Sequence, residues 1–196
     1  MNLREQKALQ TYENIILTAE QLLKDSSYEE LSVDQICECA GISKGGFYHH
    51  FPSKDQLLSL LIGRQMGNLI IAHVKPWLNK KDAFELIKIC MDTMVEYLAG
   101  SPRSTFARCW VALTEHNELT KENFTKDSFQ IIHSIITQGK KDGTIRSDLS
   151  DDFCFSYINA TISGIVLYGL AYKDSASLQK FATDSLKLIC QTLAGK

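Results

Sequence analysis

Apolar residues recur at intervals of three and four along most of this chain, which is the period of a helix with one buried face. The first series comprises Leu9, Tyr12, Ile16, Ala19 and Leu23. It predicts an amphipathic helix that packs its apolar stripe against the elements that follow.

Further apolar series predict longer helices in the rest of the chain. A helix that begins at Ser53 and ends near Pro76 is followed by series over 82–98, 103–116, 121–141 and 151–172, and by a last helix through Leu178 and Leu193. Breaks at Gly100-Ser101-Pro102 and Asp142-Gly143 separate them. The pattern predicts an all-α protein of about nine helices.

Residues 32–54, SVDQICECAGISKGGFYHHFPSK, combine two helix starts with a glycine turn. Ser32 and Gln35 have the spacing of a capping box at the start of the first helix. Gly41 can take the left-handed conformation that ends this helix, and Ser43 can cap the second. Two short helices joined in this way form a helix-turn-helix, whose second helix enters the major groove of DNA.

Two features after Ser43 indicate a close anionic partner. Gly45 and Gly46 lie in the first turn of the second helix, although each costs about 1 kcal/mol relative to Ala inside a helix. Close backbone approach to DNA would explain them. Pro52 then ends the helix, Ser53 caps the next one, and Lys54 lies in its first turn, which is a favourable place for a phosphate.

These residues resemble the N-terminal signature of the TetR family of transcriptional repressors over Ile16 to Leu61. The matching positions are Ser32, Val33, Ile36, Ala40, Gly41, Ile42, Ser43, Gly45, Phe47, Tyr48, His50, Phe51, Ser53 and Lys54. The resemblance implies an N-terminal three-helix DNA-binding domain over 1–52, here called the head. It also implies an effector-binding and dimerisation domain over 53–196, here called the body, with helix 53–75 connecting the two.

The resemblance also implies which side chains contact DNA. The predicted contacts are Ser32, Ser43, Lys44, Gly45, Gly46, Tyr48, His49 and Lys54. Tyr48 and Lys54 would hold phosphates, whereas His50 and Phe51 would pack inside. Gly46 stands where the family often has Thr, Ser or Ala, so one base-reading side chain is missing.

Charge refines this prediction. The whole chain has a net charge of −2, and residues 1–60 contain five Lys and Arg residues against nine Asp and Glu residues. DNA-binding proteins draw much of their affinity from phosphate neutralisation. The acidic head therefore predicts a small contact patch and modest non-specific affinity, and it leaves open a helical small-molecule binding or carrier protein with a vestigial DNA-reading head.

The six cysteines are scattered, without a CxxC pair. Cys37 and Cys39, with His49 and His50 nearby, raise the alternatives of a metal site or a redox sensor. Residues two apart on a helix face different ways, however, so packing of reduced thiols is favoured. We expect no metal and no cofactor.

Catalytic and membrane functions find little support in the sequence. It contains no nucleophile elbow, no HExxH and no glycine-rich phosphate loop, so we expect no enzyme. The apolar stretch 151–172 is interrupted by Ser156, Asn159, Thr161 and Ser163, which argues against a membrane span. The N-terminus lacks the apolar core of a signal peptide, and the cytoplasm is the expected location.

The body carries two predicted surfaces. Residues that recur every four positions, Ser156, Ala160 and Gly164, permit close helix contact, and with the last helix they predict a four-helix homodimer interface. Its members on the last helix are Leu178, Phe181, Leu186 and Ile189. A pocket for a small, largely apolar organic effector is predicted to be lined by Met91, Met94, Tyr97, Phe106, Trp110, His116, Phe124 and Phe129.

Overall fold

The computed structural model describes residues 2–100, 104, 107, 126–171 and 175–195, and within these residues the protein is all-α. The helices are α1 (Leu3–Leu22), α2 (Val33–Ala40), α3 (Lys44–His50), α4 (Lys54–Val74), α5 (Ala83–Ala99), α6 (Lys126–Asp142), α7 (Asp151–Ala171) and α8 (Ser175–Leu193). A 3-10 turn, Lys75–Trp77, extends α4. The predicted fold class is confirmed. Of the helix predicted over 103–116, only residues 104 and 107 are described, and both are helical.

Helices begin where the sequence offers a capping side chain. Ser32, Ser43, Ser53 and Asp82 each accept a hydrogen bond from the backbone N–H three residues later, at the starts of α2, α3, α4 and α5. Such bonds satisfy N–H groups that have no partner within the helix. The predicted turn at Asp142-Gly143 is also present, with Gly143 at φ 84°.

The apolar side chains of the head form a cluster of their own, the head cluster. It joins α1, α2 and α3 to the first half of α4, and its buried members are Ile15, Ile16, Ala19, Leu31, Ile36, Cys37, Phe47, Phe51, Leu57 and Leu61. Leu9 is exposed, because α1 begins ahead of this cluster. The prediction that Leu9 lies on the buried face was therefore wrong.

A larger body cluster holds the remaining described helices together. Met66, Ile70 and Val74 from the second half of α4 pack there with side chains of α5, α6, α7 and α8. The helix α4 thus contributes to both clusters. The domain boundary at residue 52 stays a prediction.

One helix within the described ranges, Lys54–Trp77, has the length and apolar composition to cross a membrane. Half of the most apolar stretch of this helix is buried inside the fold, as in the core helix of a soluble protein. The burial of Leu57, Leu61 and Ile70 against other helices explains this composition.

Candidate nucleic-acid interface

Local hydrogen bonds fix the turn between α2 and α3. The Ser32 backbone N–H donates to Gln35 Oε1 at 2.8 Å, and the Gln35 N–H donates to Ser32 Oγ at 3.2 Å, which completes the predicted capping box. Gly41 ends α2 with φ 67° in the left-handed region. Ser43 Oγ then accepts from the Gly46 N–H at 3.1 Å and starts α3.

The buried face of α3 anchors it to the head. Phe47 is fully buried, and Phe51 stacks on Tyr12 of α1 with ring centroids 4.9 Å apart. His50 is half-buried near Tyr12, with ring centroids 6.2 Å apart. These contacts hold α3 rigidly and leave its opposite face to solvent.

That opposite face carries most of the predicted DNA contacts. Tyr48 is 50% exposed, and its ring packs edge-on against Phe47 with centroids 5.3 Å apart. The other residues exposed on this side are Ser43, Lys44, Gly45 and His49. The structure therefore brings together side chains of donor, acceptor and cationic character on a surface of one short helix.

The glycines of α3 are not required by the packing of the head itself. A Cβ added at Gly45 would approach no atom closer than Ser43 Oγ at 3.9 Å, and one at Gly46 would approach Ser43 Oγ at 3.5 Å. Both distances are ordinary van der Waals contacts. Something outside the head is therefore the better explanation for two weak helix formers in succession.

Lys54 has an internal role that its predicted phosphate contact did not include. Its Nζ donates to the carbonyl oxygens of Leu31 at 2.7 Å and Tyr28 at 3.0 Å, and lies 4.3 Å from the Tyr28 ring centroid. The Tyr28 hydroxyl donates to Asp55 at 2.6 Å. Lys54 thereby ties the start of α4 to the loop that leads into Ser32. Its phosphate contact stays a prediction.

Lys44 forms an ion pair across the helix-turn-helix. Its Nζ lies 2.7 Å from Asp34 Oδ1 of α2, and the two side chains are 63% and 67% exposed. The hydrogen bond to Asp34 raises the pKa of the Lys44 ammonium. The cation of the exposed α3 face is therefore paired within the head.

The cysteines and histidines of the head do not converge. Cys37 is buried and Cys39 is exposed, so the two thiols face different sides of α2. Burial raises the pKa of the Cys37 thiol, and burial beside His49 lowers the pKa of His50. No group of three His, Cys, Asp or Glu residues that could hold a metal occurs in the described part of the chain.

The predicted effector site is only partly within the described residues. Met91 and Met94 are buried in the body cluster, and the Tyr97 hydroxyl donates to Gln65 of α4 at 2.8 Å. The remaining predicted lining lies outside the described residues, namely Phe106, Trp110, His116, Phe124 and the side chain of Phe129. The pocket stays a prediction.

The predicted dimer surface needs correction on α8. Leu178 is buried, and Ile189 is 0% exposed, because both pack into the body cluster of their own subunit. They cannot also lie at an interface between subunits. Phe181 and Leu186 are partly buried against the same cluster.

The small residues predicted on α7 are exposed, and large apolar side chains accompany them. Ser156, Ala160 and Gly164 all face solvent in the single subunit, and a Cβ at Gly164 would meet nothing within 4 Å. Among the side chains of α7 and α8 that the structure describes, the exposed large apolar ones are Phe153, Leu167, Tyr168 and Leu188. Two of them continue the spacing of the small residues. Phe153 lies three residues before Ser156, and Leu167 lies three residues after Gly164.

These features define a helix-turn-helix DNA-binding protein. They are a capped helix, a left-handed glycine turn, and a second helix with one buried apolar face and one exposed polar face. Residues 15–61 match the family model described as bacterial regulatory proteins, tetR family. Residues 15–61 therefore form a DNA-binding domain similar to that of the tetR-family regulators, as the signature over Ile16 to Leu61 predicted.

Similar proteins are transcription regulators. YwcC, a helix-turn-helix transcriptional regulator of Bacillus subtilis, is 50% identical over 62 residues, which are 31% of this chain and 28% of that protein. The fatty acid metabolism regulator protein of the same species is 22% identical over 187 residues, covering 94% and 96% of the two chains.

A solved structure shares the whole fold. Thermus thermophilus FadR, a TetR-family transcriptional repressor in complex with lauroyl-CoA, superposes with a TM-score of 0.66 over 94% of this chain and 96% of that chain. The two sequences are 18% identical. This likeness extends the shared all-α architecture from the head to the body.

Proposed function

We propose that this protein is a ligand-responsive transcriptional repressor that acts in the cytoplasm as a homodimer on a palindromic operator. A small, largely apolar organic effector releases it from DNA. The observation that carries the proposal is the exposed face of α3. The side chains of Lys44, Tyr48 and His49 are exposed there, while Phe47 of the same helix is buried in the head cluster.

On this proposal, α3 enters the major groove. Tyr48 donates its exposed hydroxyl to a phosphate, and Lys44 and His49 contact base edges or nearby phosphates. Gly45 and Gly46 let the backbone come close to DNA. Phosphate contacts position the head, and base contacts give sequence specificity.

The exposed apolar surface of α7 and α8 supports the homodimer. Leu188 is 59% exposed, and Phe153, Leu167 and Tyr168 are each about half exposed, at 48%, 49% and 45%. Large apolar side chains exposed together on two neighbouring helices are characteristic of interaction sites. Two copies of the α7–α8 pair would cover it as a four-helix bundle and set two α3 helices about one DNA turn, roughly 34 Å, apart.

The connection through α4 supports the response to an effector. Met66 and Ile70 lie in the body cluster, whereas Leu57 and Leu61 of the same helix lie in the head cluster. An effector that prefers a body conformation with a shifted α4 would change the spacing of the heads. Two similar proteins favour an effector with an apolar chain. One is the fatty acid metabolism regulator protein of Bacillus subtilis, which aligns over 187 residues, and the other is Thermus thermophilus FadR, which was solved with lauroyl-CoA.

The test begins with the operator. Genomic fragments retained by the protein are sequenced, and affinity for the recovered palindrome is measured for the wild type, Tyr48→Phe and Tyr157→Phe. We expect Tyr48→Phe to bind about tenfold more weakly, since a hydrogen bond to a charged group is lost. Tyr157→Phe removes the same hydroxyl from a partly buried side chain of the body, where it bonds Thr192 within the subunit, and should bind like the wild type. Equal binding by all three proteins would overturn the assigned contact.

The acidic head favours a second candidate, a helical carrier protein that no longer uses its DNA-reading face. Residues 1–60 hold nine acidic residues against five Lys and Arg residues. A carrier would show no salt-dependent binding to any genomic fragment. The repressor is expected to lose affinity steeply as salt rises, because phosphate contacts release condensed cations.

A further inference from the structure

Both lysines predicted to contact DNA are engaged within the head. Lys54 Nζ donates to the carbonyl oxygens of Tyr28 and Leu31. Lys44 Nζ lies 2.7 Å from Asp34 Oδ1. A DNA phosphate that approaches this surface therefore meets cations that already have partners.

The two pairings differ in how easily DNA can replace them. The bonds of Lys54 are to backbone carbonyls beneath a partly buried side chain. The Lys44 ion pair, by contrast, is about two-thirds exposed on both sides. Exposed ion pairs are weak and open readily. Lys44 is thus the cation that DNA can take over, and Asp34 is the group it must displace.

We propose that Asp34 is a specificity-determining residue, which holds Lys44 in the free protein and so lowers the affinity for DNA that is not the operator. This inference rests on the proposed DNA-binding function. On random sequence, Lys44 exchanges one anionic partner for another and gains little. On the operator it also reaches a base-edge acceptor, such as guanine O6 or N7, and this contact offsets the loss of Asp34.

The charges around the pair favour this role. The first 60 residues already carry an acid excess, so few other cations are available to bind random DNA. Lys44 therefore represents a large share of the cationic contact on the α3 face. An interaction that holds this one side chain can therefore lower much of the non-specific affinity for DNA, because that affinity depends on phosphate neutralisation.

The test compares Asp34→Asn with Glu38→Gln. Glu38 lies one turn further along α2, is also exposed, and makes no ion pair within the described ranges. Both variants remove one negative charge per head. We expect Asp34→Asn to bind a non-operator duplex on the order of threefold more tightly per head, with a salt slope steeper by about one per head. Glu38→Gln should change this affinity by much less.

Lys44→Gln supplies the second arm. In this background, Asp34→Asn should change non-operator binding no more than Glu38→Gln does, because the proposed effect passes through Lys44. Lys44→Gln alone should weaken operator binding more than non-operator binding. Thermal unfolding of each variant shows that the head stays folded.

Each outcome decides a separate claim. Equal effects of Asp34→Asn and Glu38→Gln, or an effect of Asp34→Asn that still exceeds that of Glu38→Gln without Lys44, would overturn the specificity role and leave only general repulsion. Unchanged binding by Asp34→Asn would overturn it as well. Failure of the wild type to bind any DNA would instead overturn the proposed function.

Discussion

The head and the body bury their apolar side chains in separate clusters, and α4 belongs to both. Its first half contributes Leu57 and Leu61 to the head cluster, whereas its second half contributes Met66, Ile70 and Val74 to the body cluster. A packed cluster moves as a unit, because its close-packed side chains do not deform continuously. A displacement of α4 in the body is therefore expected to carry the whole head with it.

Charged contacts reinforce the hold of the head on α4. Arg64 lies between the two groups of buried α4 residues, and its guanidinium is 3.4 Å from Glu13 and 3.8 Å from Glu20 of α1. These contacts join the middle of α4 to the helix that braces the head. The head cluster is thus a small packed unit that is joined to the larger body cluster through one shared helix, α4.

The largest expected effect tests whether the clusters are independent. Phe47→Ala removes a fully buried ring from the head cluster and should cost about 3–5 kcal/mol of folding free energy. Hydrogen exchange should show protection lost in α2 and α3 and retained in α5 and α6. Ile135→Ala is the matched change in the body cluster and should show the opposite pattern. Uniform loss of protection in either variant would mean that the two clusters unfold as one.

The next prediction separates the structural role of Lys54 inside the head from the DNA contact proposed for Tyr48. Lys54→Met removes the ammonium from two carbonyl oxygens, which should cost about 1–3 kcal/mol. Hydrogen exchange should accelerate at residues 28–32, the loop that this side chain ties down. Tyr48→Phe should leave the same amides unchanged. If Lys54→Met leaves both stability and exchange unaltered, the internal role of Lys54 is wrong.

A third change addresses the exposed apolar face of the body. Leu188→Lys puts a charge into the proposed subunit interface and should weaken dimerisation by at least about tenfold, as for truncation of a central interface residue. Sedimentation velocity measures the change. Leu17→Lys alters a similarly exposed leucine of α1 and should leave the dimer intact. Dissociation by both variants would argue against an interface on α7 and α8.

A smaller change separates stability from DNA binding at a single position. Gly46→Ala has room for its Cβ and should stabilise the head by up to about 1 kcal/mol, because Ala is the better helix former. The same methyl group should weaken operator binding if the backbone of α3 approaches DNA closely. Thermal melts and fluorescence anisotropy measure the two effects. Tighter operator binding would contradict the proposed role of this glycine.

The smallest expected effect concerns pH. The pKa of His50 is lowered by burial and by His49, so the folded head prefers the neutral imidazole. As the pH falls through the unfolded pKa near 6.5, the unfolded chain gains a proton that the folded head takes up less readily, and stability decreases. His50→Gln should remove part of this decrease in urea melts between about pH 7 and 5. An unchanged pH profile would show that other groups cause it.

The same comparison explains what could be predicted from the sequence. Ser32, Gly41 and Ser43 act on backbone groups within a few residues, so their pattern specified the helix-turn-helix locally. The exposed face of α3 followed from the period of the helix and the family resemblance. The effects of Asp34 and Lys54 did not follow, because their partners lie 10 and more than 20 residues away and meet only in the fold.

The faces of α8 show a different limit. Leu178 and Ile189 fit the apolar spacing of the last helix, yet they pack inside the subunit, whereas Leu188 is exposed. A helix with more than one apolar side can turn either side toward its own core. The choice depends on the shapes of α5 and α7, which periodicity does not encode.

The most direct test of DNA reading by α3 is photo-crosslinking to the operator. A benzophenone amino acid replaces Tyr48 on the exposed α3 face or, as the control, Trp77 beyond the far end of α4. The 21 residues of α4 span about 30 Å between the head and this control position. Crosslinks to DNA are expected from position 48 and not from position 77. Crosslinks from neither position in a folded, DNA-bound protein, or equal crosslinks from both, would contradict the account.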